Sequence, residues 1–328
     1  MREFTEKYRG FLLYPGQHTL ARGAAGCSNE TEFAAVIAED LKCNWGANTV
    51  MIATGSFKGD NGLINITRKF VDNGIYVILY PQGICYFRGY GVYKWDSSDV
   101  STALNTLDSL FDSLTNQMEM IVGVCVTEES SIFDDNGSGG VDHTRLSPLL
   151  DDYWGGIKEI TDLPLIYIGP GYQPYLDVMA NTLDASVMPD IYLTETYANK
   201  QIGGVPCSDR GAPVIDDMIE WANGWLDNVE NTLSDYGVVL GHTPMTAGTP
   251  DSELTNSGVE YYIPEQEYYR RVVAIGDSRN LTYQICWYFV RNNTVEEIPL
   301  RNEKYEMTDI GSGLRNAFFI STRGFAPI

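Results

Sequence analysis

Ile75-Tyr76-Val77-Ile78-Leu79-Tyr80 is an unbroken apolar and aromatic run. No polar residue alternates within it, so both faces of this strand are expected to be buried, as in a parallel sheet covered by helices. Ahead of it lies Leu63–Asp72, with apolar residues at helical spacing, then Asn73-Gly74, a helix-stop signal. The same unit repeats in both directions along the chain. Strands are predicted at Arg9–Tyr14, Ala47–Ala53, Met120–Val126, Leu163–Ile168, within Val187–Thr194, at Val238–Gly241 and at Leu281–Val290. Helices are predicted at Thr31–Lys42, Val100–Leu114 (capped by Ser98 or Asp99), Leu146–Ile160, Pro174–Leu183, within Ala212–Ser234 and at Pro264–Ile275. Every predicted strand but the last precedes a clear helix, which implies a parallel sheet. The count of strands points to an α/β fold, a single (β/α)8 TIM barrel over residues 1–328, with 299–328 as closing helix and C-terminal tail. A doubly wound open sheet is the alternative. No G-x-G-x-x-G turn follows the first strand, which argues against dinucleotide binding.

The 328 residues carry 22 Lys+Arg against 44 Asp+Glu, a formal charge of −22. Phosphate backbones need clustered basic residues, so no nucleic-acid partner is expected. No apolar run approaches the ~18 residues of a membrane span, so no membrane partner is expected either. Neutral, polyhydroxylated or cationic partners remain, and the acidity also reads simply as a solubility device. Cys125 and Cys286 sit in apolar runs and read as buried thiols, whereas Cys27, Cys43, Cys85 and Cys207 fall nearer loops and are free to pair in an oxidising compartment. Asn29, Asn65, Asn136, Asn280 and Asn292 each begin an N-x-S/T sequon. Met1-Arg2-Glu3-Phe4 carries no signal-peptide pattern. An extracellular or cell-surface location is the expectation.

A barrel of this kind works at the C-terminal ends of its strands, so the strand-end residues are the candidates. Glu128 and Glu129 end the fourth strand, and Glu195 ends the sixth. Alternation turns one of Glu128 and Glu129 toward the mouth; Glu128 shares parity with Val122, Val124 and Val126. The fourth and sixth strands are alternate members whose inward residues can share a layer. Two carboxylates across a mouth suffice for glycoside hydrolysis: one protonates the leaving oxygen, and the other attacks the anomeric carbon or activates water. Glu128 and Glu195 are therefore the catalytic candidates. His18, Tyr80, Gln82, Trp95, Tyr197, His242 and Trp287 are the substrate-binding candidates, because aromatic rings stack on sugar C–H faces while polar groups meet the hydroxyls. A two-His metal site from His18 and His242 lacks any HxH or HExxH spacing, and no metal is expected. Asp134–Arg145 matches half of a calcium loop but has Arg145 where a bidentate Glu belongs, so it reads as a loop. With no P-loop and no nucleophile elbow, no cofactor is expected.

Trp45-Gly46-Ala47-Asn48-Thr49-Val50, Val71-Asp72-Asn73-Gly74-Ile75-Tyr76-Val77-Ile78-Leu79 and the strand end with Trp287 resemble the glycoside hydrolases of clan A, the group of cellulases and mannanases. The resemblance implies the barrel fold, and Glu128 as acid/base. It departs at four places: Met51 stands for the family's second-strand Arg, Tyr80-Pro81-Gln82 replaces its third-strand His, and Thr127-Glu128 replaces Asn-Glu. His242 falls where the family's seventh-strand nucleophilic Glu belongs, with Glu253 further along in the next loop. The expectation is a glycoside hydrolase acting on a poly- or oligosaccharide. The alternatives are a catalytically inactive glycosidase-like barrel that binds glycans, and a barrel enzyme of another class, a lyase or a metal-assisted hydrolase.

Overall fold

The computed structural model describes residues 6–85, 87–88, 96–128, 143–196, 201–202, 205–206, 214–244, 266–286, 304–307 and 315. Its barrel strands are β1 (Tyr8–Leu13), β2 (Thr49–Thr54), β3 (Tyr76–Pro81), β4 (Ile121–Glu128), β5 (Leu165–Pro170), β6 (Ile191–Thr196), β7 (Val239–Pro244) and β8 (Tyr283–Cys286). Each pairs in parallel with its neighbours, and β8 pairs with β1, so the sheet closes on itself. The helices are α1 (Glu30–Asp40), α2 (Leu63–Asp72), α3 (Ser97–Ser113), α4 (His143–Ile160), α5 (Gln173–Thr182), α6 (Val214–Leu233) and α7 (Gln266–Ser278). This is the (β/α)8 barrel that the strand–helix alternation predicts. Of 299–328, residues 304–307 and 315 are described; Tyr305 packs edge-on to Phe33 and donates to Asp40 of α1. The expected closing helix and tail otherwise lie outside the described residues.

Local chemistry explains the boundaries. In α2, Leu63, Ile64, Ile66, Thr67 and Phe70 are buried on one face, and the helix gives way to Asn73 and Gly74, the latter at φ 73°. The cap of α3 is Asp96 rather than Ser98 or Asp99. Asp96 accepts from the Ser98 and Asp99 amides, and the Asp99 carboxylate accepts from the Asp96 amide, a reciprocal box that needs an acceptor three residues before another. The Trp45–Val50 phrase is scaffolding. Trp45 is buried against Phe11 and donates to Asp40. Gly46 supplies a left-handed turn at φ 61°. Asn48 ties β1 to β2 by accepting from the Arg9 amide and donating to the Lys7 carbonyl.

Two cores follow from strand parity. Phe11, Val50, Ile52, Val77, Leu79, Val124, Leu165 and Tyr192 face the helices. Leu12, Met51, Ala53, Ile78, Tyr80, Cys125, Ile166, Ile168, Ile191, Leu193, Tyr283 and Ile285 fill the barrel. Glycines make room for the large interior residues: a Cβ on Gly123 would lie 2.4 Å from Ile166 Cδ1, and one on Gly241 2.4 Å from Leu193 Cδ2. β4 carries two register irregularities, at the Val77/Ile78 pairing and between Cys125 and Thr127. Straight alternation would group Glu128 with Val124, which faces the helices. The second irregularity instead puts residue 128 level with Ile168, an interior residue.

Among the described residues no disulfide is present. Cys125 and Cys286 are buried as expected, but so is Cys85, whose thiol donates to the Ala103 carbonyl of α3 rather than lying open for pairing. No described helix is long and apolar enough to cross a membrane.

The glycines give a direct stability test. A Cβ at Gly10 would lie 1.8 Å from the Thr49 carbonyl oxygen, whereas one at Gly224, within α6, meets nothing within 4 Å. Gly10→Ala is expected to cost ~1–3 kcal/mol or more, and Gly224→Ala to add ~0.5–1 kcal/mol. Urea denaturation of both variants measures this, and a neutral Gly10→Ala would contradict the β1–β2 packing.

Candidate active site

The register fixes which strand-end residues share a level. Stepping round a closed barrel, each strand is offset so that the stagger totals ~8 residues. On that stagger the pairings bring Leu12, Tyr80, Ile168 and Thr243 to one interior level, from β1, β3, β5 and β7. The next level toward the C-terminal mouth holds Ala53, residue 128 and Glu195, from β2, β4 and β6. The two carboxylate positions expected to share a layer therefore do so along the backbone.

Glu195 is 1% exposed. It is in register with Thr243 on one side and Pro170 on the other. Its charge reaches the interior thiol of Cys125. Burial raises that thiol's pKa, the Thr127 backbone lowers it, and Glu195 adds to the rise. Tyr80 is fully buried one level below, and the half-buried Gln82 follows the last residue of its strand. Thr243, a strand-end residue not among the candidates read from the sequence, lies at the level of Tyr80 on the opposite strand. The signal that finds it is register, since it lies beside Glu195 on the interior face of β7.

The two histidines lie elsewhere than a mouth-lining reading expects. His18 ends the short 3-10 turn after β1 and is buried beside Phe33, with Nδ1 3.8 Å from Glu30 Oε2. Arg22 donates to the other Glu30 oxygen at 2.9 Å. Burial, then the Arg22 charge, lowers the His18 pKa to about 3, and burial raises that of Glu30 to about 7 against the pull of Arg22. His242 has the parity opposite to Gly241 and Thr243, so its ring enters the strand–helix layer. There Gln284 Nε2 contacts His242 Nδ1 at 3.4 Å and also donates to the Val272 carbonyl of α7. With Nδ1 accepting, Nε2–H donates to Thr196 Oγ1 at 2.7 Å. Burial, then the charges of Arg9 and Arg279, lowers the pKa of His242 to about 3.

Trp95, Tyr197, Trp287, Glu129, Glu253 and most of the Asp134–Arg145 loop lie outside the described residues, and Glu128 is described through its backbone. Among the described residues no group of three or more His, Cys, Asp or Glu is arranged to hold a metal ion.

Among solved structures, the chain resembles a beta-glucuronidase of an uncultured Clostridium sp. (TM-score 0.63, 12% identity), covering 97% of this chain and 53% of that one. It also resembles an endocellulase of Pyrococcus horikoshii (0.63, 12%), covering 95% and 92%. A third is a beta-glucanase of Saccharophagus degradans in complex with cellotetraose (0.58, 14%), covering 96% and 88%. The chain thus spans about half the length of the glucuronidase. The likeness is one of fold, and it is the barrel implied by the second- and third-strand phrases. No protein-family model matches the chain, and no curated protein matches its sequence.

The buried groups set the pH dependence of stability. The unfolded chain protonates His18 and His242 below about pH 6.5, while the folded chain holds both neutral down to about 3, so each removes stability as pH falls through that window. Glu30 acts in the opposite sense: its raised pKa makes stability fall as pH rises from about 4.5 to about 7. His242→Asn is expected to reduce the acid-side slope by about one proton, or ~1.4 kcal/mol per pH unit between about pH 6 and 4. Urea midpoints across that range measure it, and an unchanged slope would mean that the folded protein carries a protonated His242.

Proposed function

We propose that the protein is a glycoside hydrolase that cleaves a poly- or oligosaccharide at the barrel mouth, with Glu128 and Glu195 as its carboxylate pair. The observation that carries this reading is Glu195 itself, a fully buried acid on the interior face of a strand end, at the level of residue 128 two strands away. Taking a carboxylate out of water costs several kcal/mol, and barrel enzymes concentrate such groups where the chemistry occurs.

In this mechanism Glu128 gives its proton to the glycosidic oxygen as the bond to the anomeric carbon breaks. Glu195 then bonds to that carbon, or removes a proton from the water that does. In the first case water, giving its proton to Glu128, then displaces Glu195 from the carbon, and in either case water supplies the new hydroxyl. Carboxyl groups ~5–5.5 Å apart give retention of configuration and ~6.5–9.5 Å give inversion. Tyr80, Gln82, Trp95, Tyr197 and Trp287 are the residues proposed to meet the sugar, and no cofactor takes part. His242 and His18 are assigned to support behind the mouth, because both are buried in side-chain layers outside the barrel interior. A polymer does not cross a membrane unaided, so this reading puts the protein outside the cell or at its surface.

A second reading, a barrel that binds glycans without cutting them, draws on Thr243, which gives β7 an interior strand-end residue with no acid function. Turnover separates the two. Wild type, Glu128→Gln and Glu195→Gln would be assayed for reducing-sugar release from cello-oligosaccharides, β-glucans and glucuronides, the classes suggested by the names of the structural neighbours. Each variant is expected to keep its fold by circular dichroism and to lose ~10²–10⁴-fold in kcat. Wild-type rates in both variants would remove the pair from the mechanism. Binding without release by wild type would favour the second reading.

A further inference from the structure

Four buried side-chain polar atoms among the described residues have no hydrogen-bond partner: Thr67 Oγ1, Thr194 Oγ1, Thr243 Oγ1 and Gln284 Oε1. Thr67 is in α2, and Thr194 and Gln284 share the helix-facing row of His242. Thr243 differs from these three. Two residues before it, Gly241 backs onto Leu193 and Tyr283 inside the barrel, and strand alternation returns Thr243 to that same interior face. It lies in register beside Glu195 and level with Tyr80 on the opposite strand.

We propose that Thr243 is a substrate-binding residue whose hydroxyl completes its hydrogen bonding with a ring hydroxyl of the saccharide held against Glu195. This rests on the glycosidase reading above and adds to it a contact on β7. A buried hydroxyl left unpartnered costs ~1–3 kcal/mol, and native structures hold few of them. Valine has nearly the same shape without that cost, so packing alone gives no reason for the oxygen. A threonine hydroxyl both donates and accepts, as a sugar hydroxyl does. Rotation about one Cα–Cβ bond re-aims it without moving the strand. A neutral group beside a buried carboxylate also binds a hydroxyl without adding a second charge to the site.

The experiment compares wild type, Thr243→Val and Thr243→Ser on whichever substrate of the panel wild type cleaves, with thermal midpoints measured alongside. Cellotetraose binding is followed by calorimetry as a readout independent of turnover. Thr243→Val is expected to raise KM about tenfold, the scale of one hydrogen bond, with kcat changed far less. Its midpoint is expected to match or exceed that of wild type, because no partner is lost. Thr243→Ser is expected to restore KM. Wild-type KM in Thr243→Val overturns the proposal and leaves the glycosidase reading intact. So does a KM defect accompanied by a fallen midpoint that serine fails to rescue, since that marks a packing role. Absence of both turnover and cellotetraose binding in wild type overturns the glycosidase reading, and this inference with it.

Discussion

The pairing of β8 with β1, from Tyr8 opposite Tyr283 to Phe11 opposite Cys286, is the constraint on which the rest of the structure depends. Without it the sheet would present two long unpaired edges. With it, the strands must stagger, and the stagger decides which side chains share a level inside the barrel. The floor is filled by aromatic rings, with Tyr8 packed 5.2 Å from Tyr76 and 4.8 Å from Tyr283. The Tyr283 hydroxyl donates across the interior to the Val122 carbonyl at 2.7 Å, next to the first irregularity of β4. Closure thus also satisfies a backbone group that the irregular register sets free. Above that floor the interior passes through aliphatic levels to the level of Tyr80 and Thr243, and then to that of Glu195. Polarity therefore rises along the axis toward the C-terminal ends of the strands.

Much of this was legible in the sequence wherever burial repeats with a period. The α2 boundaries read from apolar spacing and Asn73-Gly74 match those observed, and β3 differs by one residue at each end. The place of Glu195 at the end of an apolar strand is also legible, and the structure buries it in β6. The harder matter was which way a residue points in a strand buried on both faces. Met120–Val126 is apolar throughout, so no polar residue marks a face, and an extra residue between Cys125 and Thr127 leaves no trace in composition. Straight alternation therefore groups Glu128 with the helix-facing residues, whereas the pairing sets residue 128 level with the interior Ile168. His242 misleads for the same reason. A histidine at a strand end suggests a ligand-facing group, yet its parity belongs to the helix side.

That helix side bears on the site from behind. Arg9, Gln284, His242 and Thr194 lie in consecutive register across β1, β8, β7 and β6, forming a buried polar row beneath α6 and α7. Arg9 donates to the Leu281 carbonyl and pairs with Asp277 at 3.5 Å, which anchors one end of the row to the α7–β8 connection. Such a row costs stability relative to aliphatic packing, and two of its oxygens have no partner. What it gives in return is directional geometry, which aliphatic contacts lack. The His242 ring bonds to Thr196, the residue after Glu195, so the outward side chain of one position is fixed while the inward side chain of its neighbour faces the barrel. The ladder bonds to both neighbouring strands hold the backbone here, and alternation sends the Thr196 side chain outward and the Glu195 Cα–Cβ bond inward. Burial lowers the pKa of His242 to about 3, so the ring that makes this bond stays neutral down to about that pH. The backbone that carries Glu195 is thereby held by the hydrogen-bond ladder on either side, with an uncharged imidazole bonded to the next residue on the strand's outer face.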